Sequence, residues 1–279
     1  MASPYMVRVA ALQMISGDVL EDNLAQAEKL IQQAADAGAE CIVLPENFAL
    51  FSAAGYRALA EQEMATHYME KFLSAQCRRY GIWLLAGTMP LCQTSAGEII
   101  AENKVRSASL LFNAQGEVVA RYDKMHLFDV QVNDKQGQYH ESATIAPGSQ
   151  PVLADTPFGQ IGLSVCYDLR FPELYRFLAE QGAEILCVPS AFTQVTGEAH
   201  WEILLRARAI ENQCYVIGCN QGGLHPSGRE TFGGSCIIDP WGRLLAKIDK
   251  GIGWIMAEIE LEKLREIRQA MPVLEHRKI

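Results

Sequence analysis

The chain predicts an α/β fold built from two βαβαβ halves, on three observations. Short continuous apolar runs alternate with stretches of helical periodicity, the first two helical stretches stop at glycines, and an eleven-residue stretch near the front recurs in the second half. Residues 7–14 read as a strand. Residues 23–37 carry Leu24, Ala27, Leu30, Ile31 and Ala34 at helical spacing before Gly38, a natural C-cap. The run CIVL (41–44) is a buried strand, 66–80 a helix stopped by Gly81, and 82–87 a further buried strand. A hairpin follows, with 107–112 and 118–122 flanking the turn Asn113-Ala114-Gln115-Gly116. The second half repeats the alternation: strand 161–165, helix 172–181, strand 185–188, helix 199–212, strand 215–219. A hairpin with the turn Asp239-Pro240-Trp241-Gly242, a strand over 254–259, a helix from Leu261 to about Ala270 and a polar tail complete it.

The recurrence is visible letter by letter. GAECIVLPENF, beginning at Gly38, aligns without gaps on GAEILCVPSAF, beginning at Gly182. In open α/β sheets functional residues sit just beyond strand C-termini, and this alignment puts Glu46 and Ser190 at equivalent strand ends, with Phe48 matching Phe192. No linker or low-complexity segment divides the sequence, so a single domain spanning 1–279 is expected.

Composition narrows the function. The chain has 279 residues, 49% hydrophobic and 20% charged, enough to bury a large core. Its formal charge of -9 comes with no Lys/Arg-rich run, so no nucleic-acid or anionic-membrane partner is expected and small molecules become the default. The start MASPYMVRVA is not a signal sequence, and no segment approaches the roughly 18 consecutive apolar residues of a membrane span. Of the eight cysteines, Cys41, Cys187, Cys214, Cys219 and Cys236 lie in apolar, β-branched stretches, the usage of free thiols in a cytoplasmic protein. No C-x-x-C pair or His/Cys cluster has zinc-site spacing, so no metal is expected.

Cys166 stands apart. It ends the apolar run 161–165 and precedes Tyr167-Asp168-Leu169-Arg170-Phe171-Pro172, where a helix begins. At such a strand-to-helix turn a nucleophile is held exposed, and backbone N–H groups point where an oxyanion would develop. A thiol is only slightly ionised at neutral pH and needs a base or cation beside it. Glu46, after Pro45 at a buried strand end, can be that base if it faces a pocket, because desolvation raises a carboxylate's proton affinity. Lys124 follows strand 118–122, where lysines are ordinarily solvated. A Cys–His pair stays open by spacing, since six histidines are present and nothing singles one out. Other constellations fail: Ser164 lacks the G-x-S-x-G context, and His200-Trp201-Glu202 lacks the P-C-x-x-C of zinc deaminases.

These segments together resemble the nitrilase superfamily of carbon-nitrogen hydrolases, over about Val7 to His276. Its Glu motif is matched by Leu44-Pro45-Glu46, its Lys motif by YDKMHLFD beginning at Tyr122, and its Cys motif by GLSVCYDLRFPEL beginning at Gly162. The resemblance implies a four-layer αββα sandwich, commonly a homodimer or higher homo-oligomer, with Glu46, Lys124 and Cys166 as catalytic triad and no cofactor. It also implies Glu141 as a second glutamate beside the triad, and Lys124 with the Tyr167 backbone N–H as oxyanion donors. The loop VNDKQG beginning at Val132 departs from the family's usual Pro-Gly. Within the superfamily, the stretch TGEAHWEILLRARAIENQCYV beginning at Thr196 is similar to the branch acting on deaminated glutathione, whose sister branch holds the omega-amidases. A catalytically silent binding protein of the same fold would be expected to lack a triad residue. The loop from Gly222 to Arg229 leaves the catalytic edge after strand 215–219, which makes His225 and Arg229 candidate substrate-binding residues alongside Ser190 and Phe192.

Overall fold

A computed structural model describes residues 6–101 and 103–278. The first half runs β1 (Met6–Gln13), α1 (Leu20–Asp36), β2 (Cys41–Val43), α2 (Tyr56–Thr66), α3 (Tyr68–Tyr80), β3 (Trp83–Leu85), β4 (Met89–Leu91), β5 (Arg106–Phe112) and β6 (Val118–Asp123). A short ribbon follows, β7 (Asp129–Gln131) and β8 (Gln138–His140). The second half runs β9 (Val152–Thr156), β10 (Gly159–Leu163), α4 (Pro172–Glu180), β11 (Ile185–Ser190), α5 (Gln194–Thr196), a π-helical turn Gly197–Trp201, α6 (Glu202–Asn212), β12 (Tyr215–Asn220), β13 (Cys236–Ile238) and β14 (Leu244–Lys247). Finally β15 (Gly253–Glu260) returns to the first sheet beside β1, and α7 (Leu261–Ala270) closes the chain.

Two sheets result. One has the order β15-β1-β2-β3-β5-β4 with β6 added on β5, and the other β14-β13-β12-β11-β10-β9. Both are parallel at the centre, β1-β2-β3 and β10-β11-β12, and antiparallel at the flanks.

The layering follows from period-2 alternation. On β1, Val7, Val9 and Ala11 point into the core shared with the second sheet, while Ala10 and Leu12 point into the core under α1 and α3. β2 divides in the same way, Cys41 and Val43 against Ile42. A strand buried on both faces must read as a continuous apolar run, as these do. Helix α1 lays Leu24, Ala27, Leu30, Ile31 and Ala34 on the first sheet, and α4 and α6 cover the second with Leu174, Leu178, Leu205 and Ala209. The outcome is the four-layer αββα sandwich expected.

The structure departs from expectation in two helices. The helix expected over 66–80 is α3, which starts two residues later because His67 is left-handed at φ 51°, and α2, which ends just before it, was not expected. Buried Glu63 holds the break by accepting the Met69 and Glu70 backbone N–H groups at 2.7 and 3.0 Å. The helix expected over 199–212 begins earlier, because Thr193 Oγ1 accepts the Thr196 N–H, and its first full turn is widened. That turn carries Trp201 into the core, where its Nε1 donates to the Gly234 carbonyl at 2.8 Å.

Candidate active site

The C-terminal ends of β2, β6, β10 and β11 converge on a cavity of about 170 Å³. Three backbone devices aim its side chains. After β2 the chain turns at Pro45 and passes through Asn47 at φ 58°, with Gly87 packed so closely that a Cβ there would overlap the Pro45 carbonyl. After β10 it turns through Cys166 at φ 49°, a conformation costing a non-glycine residue about 1–3 kcal/mol, and such strain clusters at functional turns. After β6, Lys124 is held by its own N–H to the Ser107 carbonyl and by its carbonyl to the Gly148 N–H.

Glu46, Lys124, Glu141 and Cys166 all line this cavity. The Lys124 Nζ donates to Glu46 Oε1 at 2.8 Å and to Glu141 Oε1 and Oε2 at 2.7 and 2.9 Å. Lys124 and Glu46 are almost wholly buried. Burial opposes the ammonium charge, but the carboxylates of Glu141 and Glu46 outweigh it and hold the Lys124 pKa well above its ordinary value. Glu141 is raised, first by burial and then by the like charge of Glu46, against the pull of Lys124. Its Oε2 also accepts the Phe128 N–H at 2.6 Å, tying it to the turn after Lys124.

The Cys166 thiol is pushed upward by burial and by the charge of Glu46, against the opposing effect of Lys124 and the Ala191 backbone N–H. The resting group is therefore a neutral thiol beside a buried carboxylate, and a proton acceptor must act as the sulfur attacks.

A second network joins the Lys124 turn to the Cys166 turn. The fully buried Asp168 carboxylate accepts the Tyr122 hydroxyl at 2.7 Å, the Val165 N–H at 2.8 Å and the His126 N–H at 3.0 Å, with His126 Nδ1 at 2.7 Å. Burial and Asp168 raise the Tyr122 pKa, so its hydroxyl stays a donor. His126 in turn stacks on Phe171, ring centroids 3.7 Å apart.

The remaining sequence candidates divide. Tyr167, Phe192 and Arg229 line the cavity. Ser190 does not: it is fully buried with its Oγ donating to the Val188 carbonyl at 3.2 Å, and Ala191 and Phe192 take its place at the cavity wall. His225 does not either. It is buried behind the wall, stacked on Phe51 at 3.8 Å and bonded to the Ser16 carbonyl and Thr231 Oγ1, both at 2.8 Å. Sequence reasoning missed Tyr56, Gln136 and Tyr139, which also line the cavity. Tyr56 lies on a helix with no distinguishing pattern, whereas Tyr139 sits two residues before Glu141 and could have been taken with it. Among the described residues, the only cluster with metal-ligand geometry is Glu63, His67 and Glu70, none of which lines this cavity, and the Glu63 carboxylate is already engaged in holding the α2–α3 break.

The carbon-nitrogen hydrolase family model matches residues 8–269, and the chain belongs to that family. It is 46% identical over 269 residues to the deaminated glutathione amidase of Yersinia enterocolitica, covering 96% of this chain and 92% of that protein. The fold is shared with the Caenorhabditis elegans NitFhit protein (TM-score 0.88, 37% identity), of which the whole of this chain spans 66%. It is shared too with Saccharomyces cerevisiae Nit3, a member of branch 10 of the nitrilase superfamily (TM-score 0.82, 31% identity, 96% of this chain and 95% of that one). The protein is thus an amide-hydrolysing enzyme of the nitrilase superfamily.

Proposed function

We propose that the enzyme hydrolyses the amide of deaminated glutathione to 2-oxoglutarate and cysteinylglycine, with Cys166 as nucleophile. The observation that carries the catalytic part is the Lys124 ammonium gripped between Glu46 and Glu141 in the cavity that Cys166 faces. The substrate follows from the relatives at about the level of the Yersinia protein.

Glu46 takes the thiol proton as Cys166 Sγ attacks the amide carbon. Lys124 and the Tyr167 backbone N–H donate to the developing oxyanion. The C–N bond then breaks with the proton returned to the nitrogen, cysteinylglycine departs and a thioester remains. Glu46 next deprotonates a water that attacks the thioester, releasing 2-oxoglutarate and restoring the thiol. Glu141 keeps Lys124 charged and oriented through both steps.

Cys166→Ala is expected to fold normally and lose turnover entirely, because the change removes the nucleophile and opens little core volume. Mass spectrometry of quenched wild-type protein should find a 2-oxoglutaryl adduct on Cys166, and a fully active Cys166→Ala protein refutes the triad. Glu46→Gln should slow turnover by about 10²-fold or more; a loss below about tenfold assigns the base elsewhere. Wild-type preference for 2-oxoglutaramate over deaminated glutathione would move the substrate reading to omega-amidase.

We further propose a cytoplasmic homodimer. All eight cysteines are free and buried, as suits a reducing compartment. No helix among the described residues is long and apolar enough to cross a membrane. Phe177 on α4 and Ile203 and Ile210 on α6 are exposed at 45%, 69% and 51% on the outer helical layer, and Trp241 is exposed at 52%.

A further inference from the structure

The catalytic cavity opens into a second, larger one. The inner cavity is about 170 Å³ and the outer about 680 Å³, and Ala53, Tyr56, Gln136, Tyr139 and Arg229 line both, forming a throat between them. Glu46, Lys124, Glu141 and Cys166 lie only on the inner side. This arrangement orders the chemistry in space. Once the thioester forms, the acyl group is fixed to Cys166 and stays inside, while the amine has to pass the throat before water can follow.

Arg229 is built into that throat. Its guanidinium lies over the Phe51 ring at 4.8 Å and the Tyr139 ring at 5.1 Å, and one nitrogen donates to the Ala191 carbonyl at 3.3 Å. Its Nε is buried with no hydrogen-bond partner. The two carboxylates of the outer wall are engaged elsewhere, Asp134 accepting the Tyr139 hydroxyl and Glu230 paired with Lys250, at 2.8 and 2.9 Å. A guanidinium fixed by two rings, with donor capacity left over, is a receptor for a planar anion.

We propose that the outer cavity is the subsite for the leaving amine, that Arg229 receives the carboxylate of that amine, and that the enzyme therefore also hydrolyses deaminated glutathione bearing a substituent on its sulfur. The inference rests on the amidase reading above and extends its substrate class. Room for the substituent exists, because the outer cavity falls in the range of about 300–1,000 Å³ that accommodates drug-sized ligands, more than a dipeptide fills. Its wall offers Phe51, Tyr56, Tyr139 and Val195 to an apolar thioether. A substituent on the acyl side has no such space in the inner cavity.

The test measures kcat/KM of the purified protein on deaminated glutathione, on its S-methyl and S-benzyl derivatives, and on 2-oxoglutaramate, which has no peptide leaving group. The S-benzyl compound should be hydrolysed within about tenfold of the parent, since the apolar gain offsets any loss of fit. A fall beyond about 100-fold overturns the subsite. Arg229→Ala should lower the ratio of kcat/KM for deaminated glutathione over that for 2-oxoglutaramate by about tenfold or more, as expected for a lost charged hydrogen bond. An unchanged ratio overturns the role of Arg229. Absence of wild-type activity on deaminated glutathione, with turnover of 2-oxoglutaramate intact, is a separate result that refutes the substrate reading instead.

Discussion

His225 shows how one buried residue sets a pH limit. Ser16 offers it only a carbonyl, so Nδ1 donates there, while Nε2 faces the Thr231 hydroxyl. Burial, opposed by the Ser16 bond and aided by the charge of Arg229, brings its pKa down to about 4 from 6.5. Between those two values the unfolded chain binds a proton that the folded chain refuses. Stability is then complete above pH 6.5 and falls as pH drops toward 4, by an amount on the order of 3 kcal/mol. Thermal melts across this range should show that decline, and His225→Gln should flatten it. An equally steep decline in the variant would assign the acid sensitivity to other groups. Cys166 makes the complementary point. Burial raises the thiols of Cys41, Cys214 and Cys236 to about 12 as well, so what distinguishes Cys166 is its strained turn and its access to a cavity.

At the scale of elements, the α2–α3 break is the feature with the clearest energetic handle. Glu63→Ala leaves the buried Met69 N–H without an acceptor, which costs about 1–3 kcal/mol. Calorimetry should record a Tm lower by roughly 2–5 °C for a chain of this size. Glu63→Gln, which keeps one acceptor oxygen, should lose less; equal losses would mean that the charge rather than the N–H acceptor matters. This break also marks where sequence reading stops. Strands such as β2 and β10 were legible because burial on both faces demands continuous apolar runs, and the turns bearing Glu46 and Cys166 were legible because each follows such a run; Lys124 follows the half-exposed strand β6 and was legible only through the family's Lys motif. A left-handed His67 was not, since its cause is a side chain six residues from one of the groups it caps. Likewise Asp168 stood in plain view beside Cys166, but its four donors come from Tyr122, Val165 and His126, and only folding brings 122–126 to 165–168. Ser190 was over-read for a related reason: the internal repeat equates strand ends, whereas the side chain that reaches a cavity depends on the turn that follows.

For the whole molecule, the exposed apolar residues of the outer helical layer yield a direct expectation. Ile203→Glu combined with Ile210→Glu should convert the proposed dimer to monomer in sedimentation equilibrium, since two buried charges at an apolar interface are prohibitive. An unaltered mass would place the interface elsewhere. The two sheets also divide the catalytic groups between them. Glu46, Lys124 and Glu141 precede the coil at 146–151, and Cys166 follows it, yet β15 returns to pair with β1 along all eight of its residues from Met6 to Gln13. Cutting the backbone within 146–151 would therefore yield two polypeptides, neither holding a whole triad, with the second carrying an edge strand that belongs to the first. Co-expressed, they should reassemble through that strand and regain hydrolysis, making this chain a natural candidate for a split reporter whose signal requires both pieces.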